Sequence, residues 1–108
     1  MDIIEQYTCQ SLNEVRENID RIDDRIVKLI AQRYDYVNQA AALKKDIAEI
    51  TDSKRIGQVI EKVKQQAKQN NIDENIIEPI YRTMINAFIK EEVRKFDSVY
   101  DILKKSYY

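Results

Sequence analysis

Apolar residues recur every three or four positions through the first half of this chain, at Leu12, Val15, Ile19, Ile22, Ile26, Leu29, Ile30, Val37, Ala40, Leu43 and Ile47. That spacing is the stripe of an α-helix, and it continues without a breaker for about 35 residues. Ser11 followed by Glu14 makes a capping-box pattern at its start. The pattern predicts a first helix over residues 11–46. Residues 1–10 carry no periodicity and read as a flexible N-terminal arm.

Thr51, Asp52 and Ser53 are turn and N-cap types, and they interrupt the stripe. A second helix is expected over 54–69, with Ile56, Val59, Ile60, Val63 and Ala67 on its apolar face and Gly57 weakening its start. Asn70 and Asn71 stop it, and Asp73 caps a third helix expected over 74–104. Pro79 lies one or two turns into that helix, where it should bend the axis or reset the start. The stripe resumes through Tyr81, Met84, Ile85, Phe88, Ile89, Val93, Phe96, Val99, Tyr100 and Leu103. Residues 11–108 thus read as one helical domain.

The 108 residues include a single Gly and a single Pro, and no segment alternates as a strand does. Few turns and long helices follow. The fold class is all-α. A first helix of this length spans roughly 50 Å, whereas a compact chain of this size is only about 35 Å across, from a radius of gyration of about 13 Å. Part of that helix should project beyond its own core. A stripe apolar along its whole length needs a partner, and a second copy of the chain is the simplest one. A homodimer is expected, with helices exchanged between protomers.

Charge narrows the function classes. Eighteen Lys and Arg balance 19 Asp and Glu, for a net charge of −1. The cations are interleaved with acids, which argues against nucleic acid as a partner. No apolar run approaches a membrane span of roughly 18 residues. The acidic start lacks the features of a signal peptide, so a cytoplasmic location is expected. One Cys and no His leave no internal disulfide, no Cys/His metal site and no His-based catalysis. The acidic runs lack the spacing of a calcium loop, so no metal is expected.

Four charges fall on apolar faces: Arg16, Arg33 and Lys44 in the first helix and Glu92 in the third. At 100° per residue, Arg33 and Lys44 lie within about 20° of one face and about 16 Å apart, so they can bracket one small molecule. Arg16 is about 25 Å from Arg33 along the axis and rotated by roughly 100°. It serves the same ligand only from an antiparallel partner. An unpaired charge on such a face costs several kcal/mol, roughly, and calls for a counter-ion. A bound dianion is one answer. A Glu or Asp on a neighbouring helix is the other for Arg33, Asp20 at i+4 for Arg16, and a snorkelling stem for Lys44. Glu92 sits between Phe88 and Phe96, where burial disfavours its charged form and a nearby cation favours it. A salt bridge to Lys95 or to the first helix is its bland reading. A neutral carboxyl donating a hydrogen bond inside a pocket is the functional one.

Taken in order, these residues resemble the all-helical (type II) chorismate mutase family over roughly residues 10–98. The resemblance is carried by Leu12, Arg16, Ile19, Asp20, Ile22 and Asp23, then Ala31-Gln32-Arg33, Leu43-Lys44, Arg55, Asn71-Ile72-Asp73, and Tyr81 and Ile85 leading to Glu92. Within the family, Arg33-Tyr34-Asp35-Tyr36-Val37 and the Lys44-to-Arg55 spacing look like the isochorismate–pyruvate lyases that make salicylate for siderophores. Mutases usually place a Glu after the Arg at position 55, to meet the ring hydroxyl; Ile56 stands here. Phe88 replaces a small hydroxyl residue common in mutases. Position 92, usually Gln in bacterial members, is Glu, as in some fungal mutases.

The resemblance implies an intertwined three-helix homodimer with one very long N-terminal helix and active sites shared between protomers. It implies a substrate that is a cyclohexadiene dicarboxylate carrying an enolpyruvyl ether. Both family reactions are pericyclic, so no cofactor is implied. By analogy Arg33 and the partner protomer's Arg16 hold the two carboxylates, with Arg55 supporting the anionic pocket. Lys44 and Glu92 are the catalytic pair, donating to the ether oxygen from two sides. The 45–54 connection becomes a lid. The leading expectation is an isochorismate pyruvate lyase with mutase side activity. The alternatives are a chorismate mutase proper, making prephenate for aromatic amino acids, and a non-catalytic helical dimerisation or regulatory module.

Overall fold

The computed structural model describes the backbone of residues 7–106 and the side chains of residues 7–97. Four helices follow in order: α1 (Leu12–Leu43), α2 (Ile47–Ile50), α3 (Ser53–Gln69) and α4 (Glu74–Ser106). The described residues contain no strand. They divide into two compact units, and the dividing point in the chain falls between Tyr36 and Val37, within α1.

The first unit holds the start of α1. Ser11 Oγ accepts the Glu14 amide at 3.1 Å, and Glu14 Oε2 accepts the Gln10 amide at 3.0 Å. The box forms, with its return bond one residue earlier than the usual N-cap amide. Residues 7–10 are held as well. The Asn18 side-chain amide donates to Tyr7 Oη at 3.4 Å, to Cys9 Sγ at 3.6 Å and to the Glu14 carbonyl at 2.8 Å. This part of the expected arm is therefore tied to the helix, and the rest of it, residues 1–6, lies outside the described residues. No side chain of α1 is buried, and Leu12, Ile19, Val27 and Leu29 are all at least half exposed.

The second unit carries the core. Ile60, Val63 and Ala67 on α3, Ile85 on α4 and Ile50 on α2 are its buried apolar residues. The α3 positions follow the 3–4 spacing, so one face of the helix packs on α4. Burying an Ile or Val side chain stabilises by roughly 1.5–3 kcal/mol. The turn between these helices is built from backbone hydrogen bonds. Asn71 adopts φ 58°, the Ile72 amide returns to the Ala67 carbonyl at 3.0 Å, and the Asn71 amide to that of Lys68 at 3.3 Å. This is a Schellman motif with Asn in the left-handed position usually held by Gly. Asp73 then caps α4, accepting the Asn75 amide at 2.8 Å.

Two expectations change. Pro79 does not reset the start of its helix, because α4 begins at Glu74 and continues through it. The first helix stops at Leu43, not 46, and a separate helical turn, α2, occupies part of the stretch read as an open lid. No helix among the described residues is long and apolar enough to cross a membrane.

Candidate active site

Lys44 is the first residue beyond α1. Its amide closes the helix on the Ala41 carbonyl at 3.2 Å, an i to i−3 bond that tightens the last turn. The chain cannot continue as a helix from there, because local side chains claim the next amides. Asp46 is extended, at φ −153° and ψ 174°, and its carboxylate accepts the Glu49 amide at 2.9 Å. The Glu49 carboxylate accepts the Lys45 amide in return, at 2.5 Å. Ile50, only 6 % exposed, then docks α2 on α4.

Glu92 lies on the α4 face that carries Ile85 and Phe88. It is the buried charged residue of the core, at 7 % exposure. Its Oε2 accepts a hydrogen bond from Lys44 Nζ at 3.0 Å. The counter-ion is therefore Lys44, the residue that follows α1, which satisfies the salt-bridge reading of Glu92. An ammonium has three donors, so this bond leaves two for a ligand. The adjacent Glu91 faces outward, and its hydrogen bond with Arg94 holds its carboxyl below the usual carboxylate range. One carboxylate of this doublet is solvated and the other is set into the core.

The remaining candidates occupy other positions. Arg55 is an exposed residue in the first turn of α3, its amide capped by Asp52 Oδ1 at 3.2 Å. Arg33 is half-buried and Arg16 exposed, both in the part of α1 that belongs to the first unit. Arg33 lies within α1, and Lys44 follows its last residue, in the second unit.

The Lys44–Glu92 pair is electrically neutral, with its cation one-quarter exposed and its carboxylate enclosed. Such a pair sets a positive donor beside a buried oxygen acceptor. It does not by itself neutralise a dianion, which needs further cations.

Residues 15–93 match the chorismate mutase type II family. The chain belongs to that family. Among curated relatives, it is 31 % identical over 86 residues to the isochorismate pyruvate lyase of Pseudomonas aeruginosa, covering 80 % of this chain and 85 % of that protein. It is 34 % identical over 77 residues to the chorismate mutase of Methanocaldococcus jannaschii, covering 70 % of this chain and 78 % of that protein. This family member is thus an all-α protein of an enzyme family, and the paired charges lie within the matched span.

Sequence reasoning missed Asp46 and Glu49. Their spacing, Asp-x-x-Glu, repeats the Ser11-x-x-Glu14 signal that opened α1. It was masked because Ile47 continues the apolar series of the first helix.

Proposed function

We propose that this chorismate mutase family member is an isochorismate pyruvate lyase, converting isochorismate to salicylate and pyruvate, with chorismate mutase side activity. The observation that supports the reading is the Lys44–Glu92 pair, 3.0 Å apart with its carboxylate enclosed; the family resemblance implies a catalytic cation and its partner at these two positions. In the lyase reaction the ether C–O bond breaks, a ring hydrogen moves to the enolpyruvyl methylene to make the methyl group of pyruvate, and the ring becomes aromatic. Atoms balance without a co-reactant.

The chain has two tasks in such a reaction. It holds the substrate in a folded conformer, and it stabilises negative charge growing on the ether oxygen. Lys44 donates to that oxygen with one of its remaining N–H bonds. Glu92 serves the same oxygen from the other side. Arg33, the partner protomer's Arg16 and Arg55 supply the positive charge that the neutral pair lacks. The partner is a second copy of this chain. The exposed apolar residues of α1 support that assembly, because an isologous contact covers the same stripe on both copies at once.

Preference for isochorismate rests on two residues. Ile56 on α3 and Phe88 on α4, one turn before Glu92, are both partly buried and offer no hydrogen-bonding side chain. A chorismate ring hydroxyl left unpaired there loses roughly 1–3 kcal/mol. The 34 % identity with a chorismate mutase favours the second reading, a mutase making prephenate. Purified protein given each substrate separately distinguishes them. Salicylate fluorescence from isochorismate, faster than chorismate loss, supports the lyase. Rapid prephenate formation without salicylate supports the mutase. Turnover of neither contradicts both and leaves a binding module.

A further inference from the structure

Lys44 stands where the chain changes direction, outside any helix, yet its ammonium meets Glu92 at 3.0 Å. A lysine at a helix end has a flexible stem and many rotamers. Its backbone must be fixed for the head group to act at one place. Three features fix it. The Ala41 carbonyl holds the Lys44 amide, the Glu49 carboxylate holds the Lys45 amide, and the Asp46 carboxylate holds the Glu49 amide. The last two form a closed reciprocal box spanning Lys45 to Glu49. Ile50, at the end of the same turn, is buried on α4, the helix that carries Glu92. Thr51 completes the turn, its amide and hydroxyl both donating to the Ile47 carbonyl at 3.0 Å.

We propose that the Asp46–Glu49 box, anchored on α4 through Ile50, positions Lys44 for catalysis; the role rests on the assignment of Lys44 above. Neither carboxylate touches substrate in this account. Both are committed to backbone amides, and they act by holding the segment that presents the ammonium. Glu49 and Asp46 are therefore positioning residues. Without the box, the Lys45 and Glu49 amides turn to water and the Lys44 head group samples more of its rotamers.

The test is a double-mutant cycle on the full chain, using whichever of isochorismate and chorismate the wild-type protein turns over. Asp46→Ala should lower kcat by roughly 5- to 10-fold, the scale of a lost helix cap, while KM stays within about twofold. Asp46→Ser, which keeps a capping oxygen, should restore most of the rate. In a Lys44→Ala background Asp46→Ala should cost less than about twofold more, because nothing is left to position. Single-turnover reactions with enzyme in excess keep those slow variants measurable. Asp73→Ala, which removes the cap of α4, is the control for general destabilisation and should leave kcat within about twofold at a similar loss of Tm.

Equal losses from Asp46→Ala in both backgrounds overturn the positioning role while leaving Lys44 catalytic. So does failure of Asp46→Ser to rescue, or an equal fall in kcat from Asp73→Ala. If Lys44→Ala alone leaves turnover unchanged, the assignment of Lys44 fails and the positioning role falls with it.

Discussion

Lys44 Nζ lies 3.0 Å from Glu92 Oε2, joining the residue just past the end of α1 to the buried carboxylate of α4. The pair is the only place among the described residues where a charged side chain enters the core. Replacing it with apolar residues of similar volume would be neutral or stabilising in many proteins. Stability alone therefore does not account for its presence.

Glu92 is the acceptor that holds the Lys44 ammonium, through one oxygen at 3.0 Å. Glu92→Ala removes that acceptor, whereas Glu92→Gln keeps an oxygen in its place. Urea unfolding should therefore show a larger loss of stability for Glu92→Ala than for Glu92→Gln. Equal losses would show that the bond to Lys44 contributes nothing measurable to the fold.

The exposed stripe of α1 predicts an obligate pair of chains. Ile19→Glu with Leu29→Glu places charges on that stripe, where burial costs several kcal/mol each, roughly, unless paired. Light scattering should report a dimer for the wild-type protein and a monomer for this variant, with turnover lost because the proposed contribution of Arg16 across the dimer is removed. A variant that is monomeric and fully active removes the shared site from the account.

Gly57 sits within α3 at an ordinary helical φ, and a Cβ built on it meets nothing within 4 Å. Helix-interior Gly costs about 0.5–1 kcal/mol relative to Ala, mostly through unfolded-chain entropy. Gly57→Ala should therefore raise stability by about that amount in urea unfolding, with no change in kcat. A loss of stability would show that this face of α3 is covered in the assembled protein.

The helix signals were legible where a local rule decided them. Ser11 with Glu14, Asp52, Asn70 with Asn71, and Asp73 all cap or stop helices as their chemistry requires, and the α3 stripe became the buried face. The end of α1 was not legible from periodicity. Ile47 keeps the 3–4 spacing, and only the side-chain bonds of Asp46 and Glu49 turn it into the first residue of a new turn. Residues 7–10 failed for a similar reason, since Asn18, well along the helix, holds them. The site divides the same way. Lys44 and Glu92 each stood out as a charge out of place, but spacing along two helices carries no information about which cation meets which acid.

The most direct test compares wild-type protein and Lys44→Ala on isochorismate, on samples shown by circular dichroism to be equally folded. Stabilising the ether oxygen is a transition-state interaction, so kcat should fall at least about 100-fold while affinity for an unreactive dicarboxylate analogue weakens less than about 10-fold. A variant that keeps the wild-type kcat and changes only KM would contradict the account, because Lys44 would then bind the substrate without assisting its bond breaking.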